Sequence, residues 1–174
     1  MNMRKKSVTM ITQAAIIAAL YVVLTVIANM MGLAKFAIQV RFSEALCILP
    51  FFTFSAVPGL YIGCVIANLL TGAAIWDILF GSLATLIGAI GTYLLRKYKF
   101  LMTLPPVIAN MVIVPLVLRY GYGFTWEYAG QDMALIYFGI TVGIGEVISV
   151  CVLGSMLLKV LLPYKSIIFN SMSK

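Results

Sequence analysis

The chain has 174 residues, of which 63% are apolar and only 10% are charged. This composition excludes an ordinary soluble domain and indicates an integral membrane protein. The net charge is +7 and histidine is absent, so imidazole catalysis is excluded, and the basic excess is typical of cytoplasmic flanks rather than of nucleic-acid binding.

The first predicted helix covers residues 8–31. A basic N-terminus precedes it, as in a signal peptide, but the apolar stretch is too long for the core of one and no small-residue cleavage site follows. We therefore expect a retained membrane helix. Its alanines form two small-xxx-small pairs, Ala14 with Ala18 and Ala15 with Ala19, which let another helix approach closely in lipid. They predict either internal packing or a docking surface for a partner.

The uncharged stretch from Ala45 to Ile75 is either one long helix or two short ones. Basic residues favour the cytoplasmic side of a membrane. If the basic N-terminus and the cluster at 96–99 share that side, an even number of crossings separates them. Pro50 and Pro58 supply a break. The stretch is therefore predicted to form two short helices that longer neighbours must shield, at 44–57 and 58–72.

Three longer spans follow, at 76–96, 104–119 and 133–162, each near or above the length that crosses hydrocarbon. The sequence thus predicts an all-α protein of six transmembrane helices, with both termini cytoplasmic and one integral membrane domain over 1–174. The two halves share no repeat, so an inverted-repeat transporter has no support.

Several polar residues stand inside or at the ends of these apolar helices. An ionisable group within a span is costly and indicates a functional site, and Glu146 is the strongest case unless it only pairs with a neighbouring helix. Asn68 and Asn110 are predicted as ligand contacts or as interhelical hydrogen bonds. Trp76 and Asp77 are either a belt residue and a helix cap or an aromatic face and a carboxylate for a flat, donor-rich ring.

Arg41 and Glu44 stand three positions apart before the second helix. They form either a weak surface salt bridge or part of a loop that, with Gln39, folds over an outward-facing pocket. Such pockets are mostly apolar with a few fixed polar groups. The predicted substrate-binding residues are Gln39, Arg41, Glu44, Asn68, Trp76, Asp77, Asn110 and Glu146.

Motifs of other function classes are missing from the sequence. It has no P-loop, zinc-protease or serine-hydrolase motif, no arginine ladder and no evident pair of nucleophile and base. We therefore expect no enzymatic activity, no cofactor and no metal site. If ATP drives this chain, a partner uses it.

Five stretches carry a resemblance to a known family: QVRFSEALCILPFF, PGLYIGCVIANLLTG, WDILFGSLATLIGAIGTYLLRK, LPPVIANMVIVP and VGIGEVISVCVLG. With six helices and alanine pairs in the first, the chain resembles the queuosine-precursor transporter (QueT) family, substrate-binding S-components of energy-coupling factor (ECF) transporters, from about Thr12 to Leu162. At position 42 the chain has a phenylalanine, where the family pattern leads us to expect a smaller aliphatic residue. The loop from Arg119 to Asp132 matches poorly, so no role is carried over to Glu127.

The resemblance implies a multi-pass protein of the cell membrane that captures a 7-deazaguanine queuosine precursor, with an aminomethyl or cyano group, outside the cell. It also implies partners. A transmembrane coupling subunit would contact the alanine face of the first helix, and two cytoplasmic ATPases would drive release inward.

The chemistry of such a ligand suits the candidate residues. A guanine-like edge presents adjacent N–H donors that a carboxylate can accept, and its carbonyl oxygen needs a donor. The candidates for the donor edge, or for an exocyclic ammonium group, are Glu44, Asp77 and Glu146. The candidates that would donate to the acceptor atoms of the ligand are Arg41, Asn68 and Asn110. Trp76 would stack on the ring, and adenine would be rejected because it leaves the carboxylates without donors.

Two other functions stay open. The chain could be an S-component for another vitamin-like ring, such as a pterin or a thiamine-like ring. It could also be a structural membrane assembly protein whose polar residues only fasten helices together, and this alternative predicts that no small molecule binds tightly.

Overall fold

The computed structural model describes residues 3–32 and 40–169, which are mostly helical. The first half contains helix α1 at Met3–Met30, a 3-10 helix at Phe42–Phe51, helix α2 at Ala56–Leu70, a π-helical turn at Asp77–Gly81 and helix α3 at Ser82–Leu95. The apolar sequence of each segment explains why it is helical, since only a helix satisfies every backbone group inside lipid.

The second half continues the same pattern with more irregular helix ends. It contains a 3-10 turn at Leu101–Thr103, helix α4 at Leu104–Leu116, a π-helical turn at Val117–Gly121, helix α5 at Ala134–Glu146, a π-helical stretch at Val147–Gly154, helix α6 at Ser155–Leu161, a 3-10 turn at Leu162–Tyr164 and helix α7 at Lys165–Ile168. Two-residue antiparallel strands, β1 at Glu127–Tyr128 and β2 at Gln131–Asp132, form a hairpin between α4 and α5.

Four helical stretches of the described chain are long and apolar enough to cross a membrane: Ser7–Met30, Asp77–Leu95, Leu101–Gly121 and Ala134–Ile168. These confirm a mainly helical membrane protein. Phe42–Phe51 and Ala56–Leu70 are shorter apolar helices, at the places where two short helices are expected. Six crossings and cytoplasmic termini stay predictions.

The break between the two short helices differs from the prediction. The first of the two short helices ends at Phe51, and the second, α2, begins at Ala56. The boundary predicted between residues 57 and 58 is therefore wrong. Pro58 lies in the first turn of α2, where a helix has no internal partner for a backbone N–H and proline is therefore tolerated. Pro50 lies inside the 3-10 helix. Prolines thus mark this region without marking the exact break.

One end of the bundle is held together by direct backbone contact, and we call it the packed end. There α1 lies against α2 through Ala14, Ala18, Gly59 and Gly63. A Cβ atom added to Gly59 would lie 2.7 Å from the carbonyl oxygen of Ala14, and one added to Gly63 would lie 3.0 Å from Cα of Ala18. Small residues on both helices are what allow this approach.

The opposite end of the bundle begins where α2 stops. Gly72 adopts a left-handed conformation with φ of +70°, which glycine reaches without steric cost. The N–H of Ala73 donates to the carbonyl oxygen of Asn68 and the N–H of Gly72 to that of Leu69, which is a Schellman cap. The cap ends α2 and turns the chain towards Asp77, so that Asn68 and Asp77 lie together.

Candidate functional site

A cavity of about 230 Å³ lies at this second end of the bundle, which we call the cavity end. Its polar wall contains Asn29, Arg41, Asn68, Asp77 and Tyr122, and its apolar wall contains Val114, Leu118 and Phe124. A drug-sized pocket has about 300–1,000 Å³, so this cavity suits a smaller molecule. Ligand pockets are usually mostly apolar with a few convergent polar groups, whereas seven of the twelve residues that line this cavity are polar.

Asp77 is the carboxylate in the cavity wall. The hydroxyl of Tyr122 donates to its Oδ2 at 2.7 Å, and that hydroxyl oxygen accepts the N–H of Ala74 at 3.1 Å. Burial, followed by the hydrogen bond to the Asp77 carboxylate, raises the pKa of Tyr122 above its ordinary value, so the phenol stays a donor. Oδ1 of Asp77 accepts no hydrogen bond from a described residue and is free for a ligand.

The amide nitrogen of Asn68 makes its contacts inside the protein. Nδ2 donates to the backbone carbonyl oxygen of Asp77 at 3.1 Å and lies 3.6 Å from Sγ of Cys64. The hydrogen bond to Asp77 joins α2 to the turn that carries this residue, whereas the contact with Cys64 lies within α2. The side chain is 4% exposed and lines the cavity, where its carbonyl oxygen is the atom left to accept from a ligand.

Arg41 and Glu44 occupy different environments. Arg41 lines the cavity, and its backbone N–H donates to Oγ of Ser149 at 3.2 Å. Glu44 is 1% exposed and accepts hydrogen bonds from the hydroxyl of Tyr21 and from the thiol of Cys47, the latter at 3.1 Å. The alternative of a surface salt bridge between Arg41 and Glu44 is therefore wrong, because Glu44 is buried and hydrogen-bonded to other residues. Gln39, the third residue of the predicted loop, lies outside the described residues.

Glu146 and Asn110 lie inside the bundle and not in the cavity wall. They are 6% and 3% exposed. Oε2 of Glu146 and Nδ2 of Asn110 make no hydrogen bond of ideal geometry among the described residues, but the Asn110 amide lies within hydrogen-bonding reach of the Glu146 carboxylate. The Glu146 carboxylate also lies within electrostatic range of Glu44 and Arg41. The two side chains therefore face each other between neighbouring helices.

Trp76 does not reach the cavity. Its ring is 47% exposed and stacks on Phe80 with 6.1 Å between centroids, beside an apolar groove of about 450 Å³ that includes Leu83 and Leu116. Tyr122 and Phe124 stand in the cavity wall instead, stacked at 5.6 Å and 22°. The aromatic surface available to a ligand there therefore comes from the loop after α4.

Sequence reasoning missed Tyr122 and Phe124 because their loop matches the resembled family poorly. A signal was nevertheless present: an aromatic residue at every second position of the loop, at Tyr120, Tyr122, Phe124, Trp126 and Tyr128. Alternation of this kind places one set of side chains on one face of an extended chain. It could have indicated an aromatic wall at this loop.

The two predicted alanine pairs of α1 regroup by the face on which they lie. Ala14 and Ala18 face Gly59 and Gly63 of α2, so they serve internal packing. Ala15 and Ala19 are exposed. Any partner that docks on this face of α1 therefore meets the second pair and not the first.

The chain matches the model of a family described as "QueT transporter" over residues 11–163. It is 35% identical over 98 residues to the protein named "Queuosine precursor transporter QueT" from Lactococcus lactis subsp. cremoris (strain MG1363). That match covers 56% of this chain and 57% of the relative, so the chain spans just over half the length of its curated relative. No solved structure matches the chain.

Proposed function

Because this chain belongs to the QueT transporter family, we propose that it binds a queuosine precursor, a 7-deazaguanine, and mediates its uptake as the substrate-binding component of an ECF transporter. The four long apolar helices make it a multi-pass membrane protein. The observation that carries the proposal is the cavity whose wall combines a half-free carboxylate, a guanidinium and two stacked aromatic rings.

The cavity supplies what a guanine-like ring needs. Oδ1 of Asp77 accepts from the adjacent N–H groups of the ring edge, and Arg41 donates to the ring carbonyl oxygen. The rings of Tyr122 and Phe124 offer a stacking surface of the kind that planar heterocycles prefer. Adenine presents the opposite donor and acceptor pattern and would leave the carboxylate unpaired, which costs affinity.

Delivery into the cell needs an energy source outside this chain, since its sequence has no nucleotide-binding motif. We assign that task to a transmembrane coupling subunit with two cytoplasmic ATPases. The exposed pair Ala15 and Ala19 supports docking of such a subunit, because small residues let a second helix approach closely. With cytoplasmic termini, the cavity at the far end of α1 opens to the outside.

The test is calorimetric titration of the purified chain in detergent with 7-aminomethyl-7-deazaguanine, 7-cyano-7-deazaguanine, guanine and thiamine. We expect binding of the two 7-deazaguanines at least about tenfold tighter than binding of guanine or thiamine. Heat from thiamine alone would indicate an S-component for another ring. Absence of heat with all four, in protein whose fold is confirmed by thermal unfolding, would refute the ligand assignment.

A further inference from the structure

We propose that Glu44 is a positioning residue, which holds Arg41 where its guanidinium can donate to the ring carbonyl oxygen of the ligand. Glu44 is not among the residues of the cavity wall and acts through Arg41. The inference rests on the proposed function, since it concerns the hydrogen-bond donor of the same site. It gives an indirect task to a buried carboxylate that the sequence predicts as a direct ligand contact.

Arg41, which lines the cavity, is fixed at both of its backbone hydrogen-bonding groups. Its N–H donates to Oγ of Ser149 at 3.2 Å, and its carbonyl oxygen accepts the N–H of Glu44 at 3.1 Å. Arg41 thus caps the 3-10 helix at Phe42–Phe51, and Glu44 lies in the first turn of that helix. A displacement of Glu44 therefore also displaces Arg41.

The side chain of Glu44 anchors this first turn to α1. One carboxylate oxygen accepts the hydroxyl of Tyr21, which belongs to α1, and the other accepts the thiol of Cys47 in the same 3-10 helix at 3.1 Å. Glu44 and Tyr21 are each only 1% exposed, and hydrogen bonds to a carboxylate are stronger than those between neutral groups. The start of the 3-10 helix is therefore tied to the helix whose later turns, at Thr25 and Asn29, border the cavity.

Glu44 also helps to balance the charge of Arg41 without occupying its donors. The guanidinium lies within electrostatic range of Asp77 and of Glu44, and a partly buried charge requires such compensation. Neither acid forms an ion pair with it, because the ion pair found among the described residues joins Arg119 to Asp132. The N–H donors of Arg41 are therefore left for the ligand.

The test compares 7-cyano-7-deazaguanine with its 6-thio analogue by calorimetric titration of the full chain in detergent. Both compounds present the same N–H edge to Asp77, but sulfur is a much weaker acceptor than the carbonyl oxygen. For the unmodified chain we expect the oxo compound to bind about tenfold tighter, the effect of one hydrogen bond to a charged group. Glu44→Ala should reduce this preference to less than about threefold, because a displaced Arg41 no longer reaches the carbonyl oxygen.

Tyr21→Phe makes the same test with a smaller change, and it decides the matter if Glu44→Ala does not fold. It removes only the hydroxyl that donates to Glu44, and we expect the preference for the oxo compound to fall in the same direction. In an Arg41→Met background, which lacks the guanidinium donors, Tyr21→Phe should cause no further loss of preference. A merely structural role of the Tyr21 hydroxyl would not depend on Arg41 in this way.

Asp77→Asn is the matched control, because the N–H edge is common to both compounds and this variant should weaken both alike. The proposal is overturned if Glu44→Ala, or Tyr21→Phe where the first variant does not fold, weakens both compounds equally or leaves the preference unchanged. Equal binding of the two compounds by the unmodified chain also overturns it, since Arg41 would then not recognise the carbonyl oxygen, but leaves the ligand class intact. Failure of the oxo compound and of 7-aminomethyl-7-deazaguanine to bind the folded, unmodified chain would refute the proposed function itself.

Discussion

Near the start of α1, Ala14 and Ala18 touch the backbone of α2, whereas near its end Thr25 and Asn29 border an open cavity. At the packed end small residues fill the space between the two helices, and polar side chains are not required there. At the cavity end the same two helices present amides and hydroxyls to a space that the chain itself does not fill.

The comparison indicates that the packed end contributes mainly to the stability of the fold and the cavity end to ligand binding. Close packing contributes dispersion and leaves no void, so changes of volume at the packed end are felt as changes of stability. The polar groups at the cavity end use only part of their hydrogen-bonding capacity within the protein, as Asp77 does through Oδ2 alone. We therefore expect substitutions at the two ends to have separable effects, and the predictions below follow in order of expected effect.

The largest effect is expected from the two faces of α1. Ala15→Leu places bulk on the exposed side of the helix and should abolish most uptake into cells while leaving ligand affinity of the isolated chain unchanged. Ala14→Leu, its matched partner, points at α2 and should instead destabilise the isolated chain. Uptake and thermal unfolding, measured for both variants, check this. Full uptake by Ala15→Leu would contradict docking on this face.

Gly59→Ala tests the packed end directly. The new Cβ would lie 2.7 Å from the carbonyl oxygen of Ala14, and because a backbone atom cannot move aside locally, we expect the free energy of unfolding to fall by about 1–3 kcal/mol. Gly139→Ala is the control, since its nearest neighbour is 3.7 Å away and helix propensity there favours alanine by up to about 1 kcal/mol. Thermal unfolding in detergent gives both values, and equal stability of the two variants would mean that α1 and α2 can separate freely.

Tyr122→Phe tests the cavity end. The variant removes the hydroxyl that donates to Asp77 and accepts from Ala74, so the carboxylate loses its fixed orientation. We expect ligand affinity to fall about threefold to tenfold, the effect of one ordinary hydrogen bond, with little change in thermal unfolding because the residue lies at the surface. Unchanged affinity by calorimetry would argue against a role for Asp77 in binding.

The smallest effect is expected at the surface of the same end. The N–H of Ala134 donates to Asp132, and this hydrogen bond, before the contribution of Arg119, lowers the pKa of the Asp132 carboxyl below its ordinary value. A carboxyl with a lowered pKa stabilises the folded state above its unfolded-state pKa and loses that contribution as pH falls through the lowered value. The small difference in unfolding temperature between the unmodified chain and Asp132→Asn should therefore vanish in acid. A difference that persists in acid would show that Asp132 acts through something other than its charge.

The sequence by itself determined the class of protein and the position of its helices. Lengths of apolar runs decide which segments can cross a membrane, and they are local properties of the chain. The cost of a charge in lipid is likewise independent of the fold, so Glu146 could be identified as a candidate without knowledge of its neighbours. The same reasoning found Asp77, Asn68 and Arg41, which the structure brings to one cavity.

Only the tertiary structure decided which way each helix faces. A helix that is apolar on all sides gives no periodic signal of its buried face, so the roles of Ala14 and Ala15 could not be separated, nor could Trp76 be placed outside the cavity. The partners of Glu44 lie on α1 and on its own helix, and those of Asp77 lie on the loop after α4. Because a free carboxylate differs from a satisfied one only through such distant contacts, the sequence identified the acids and the fold determined which of them are free.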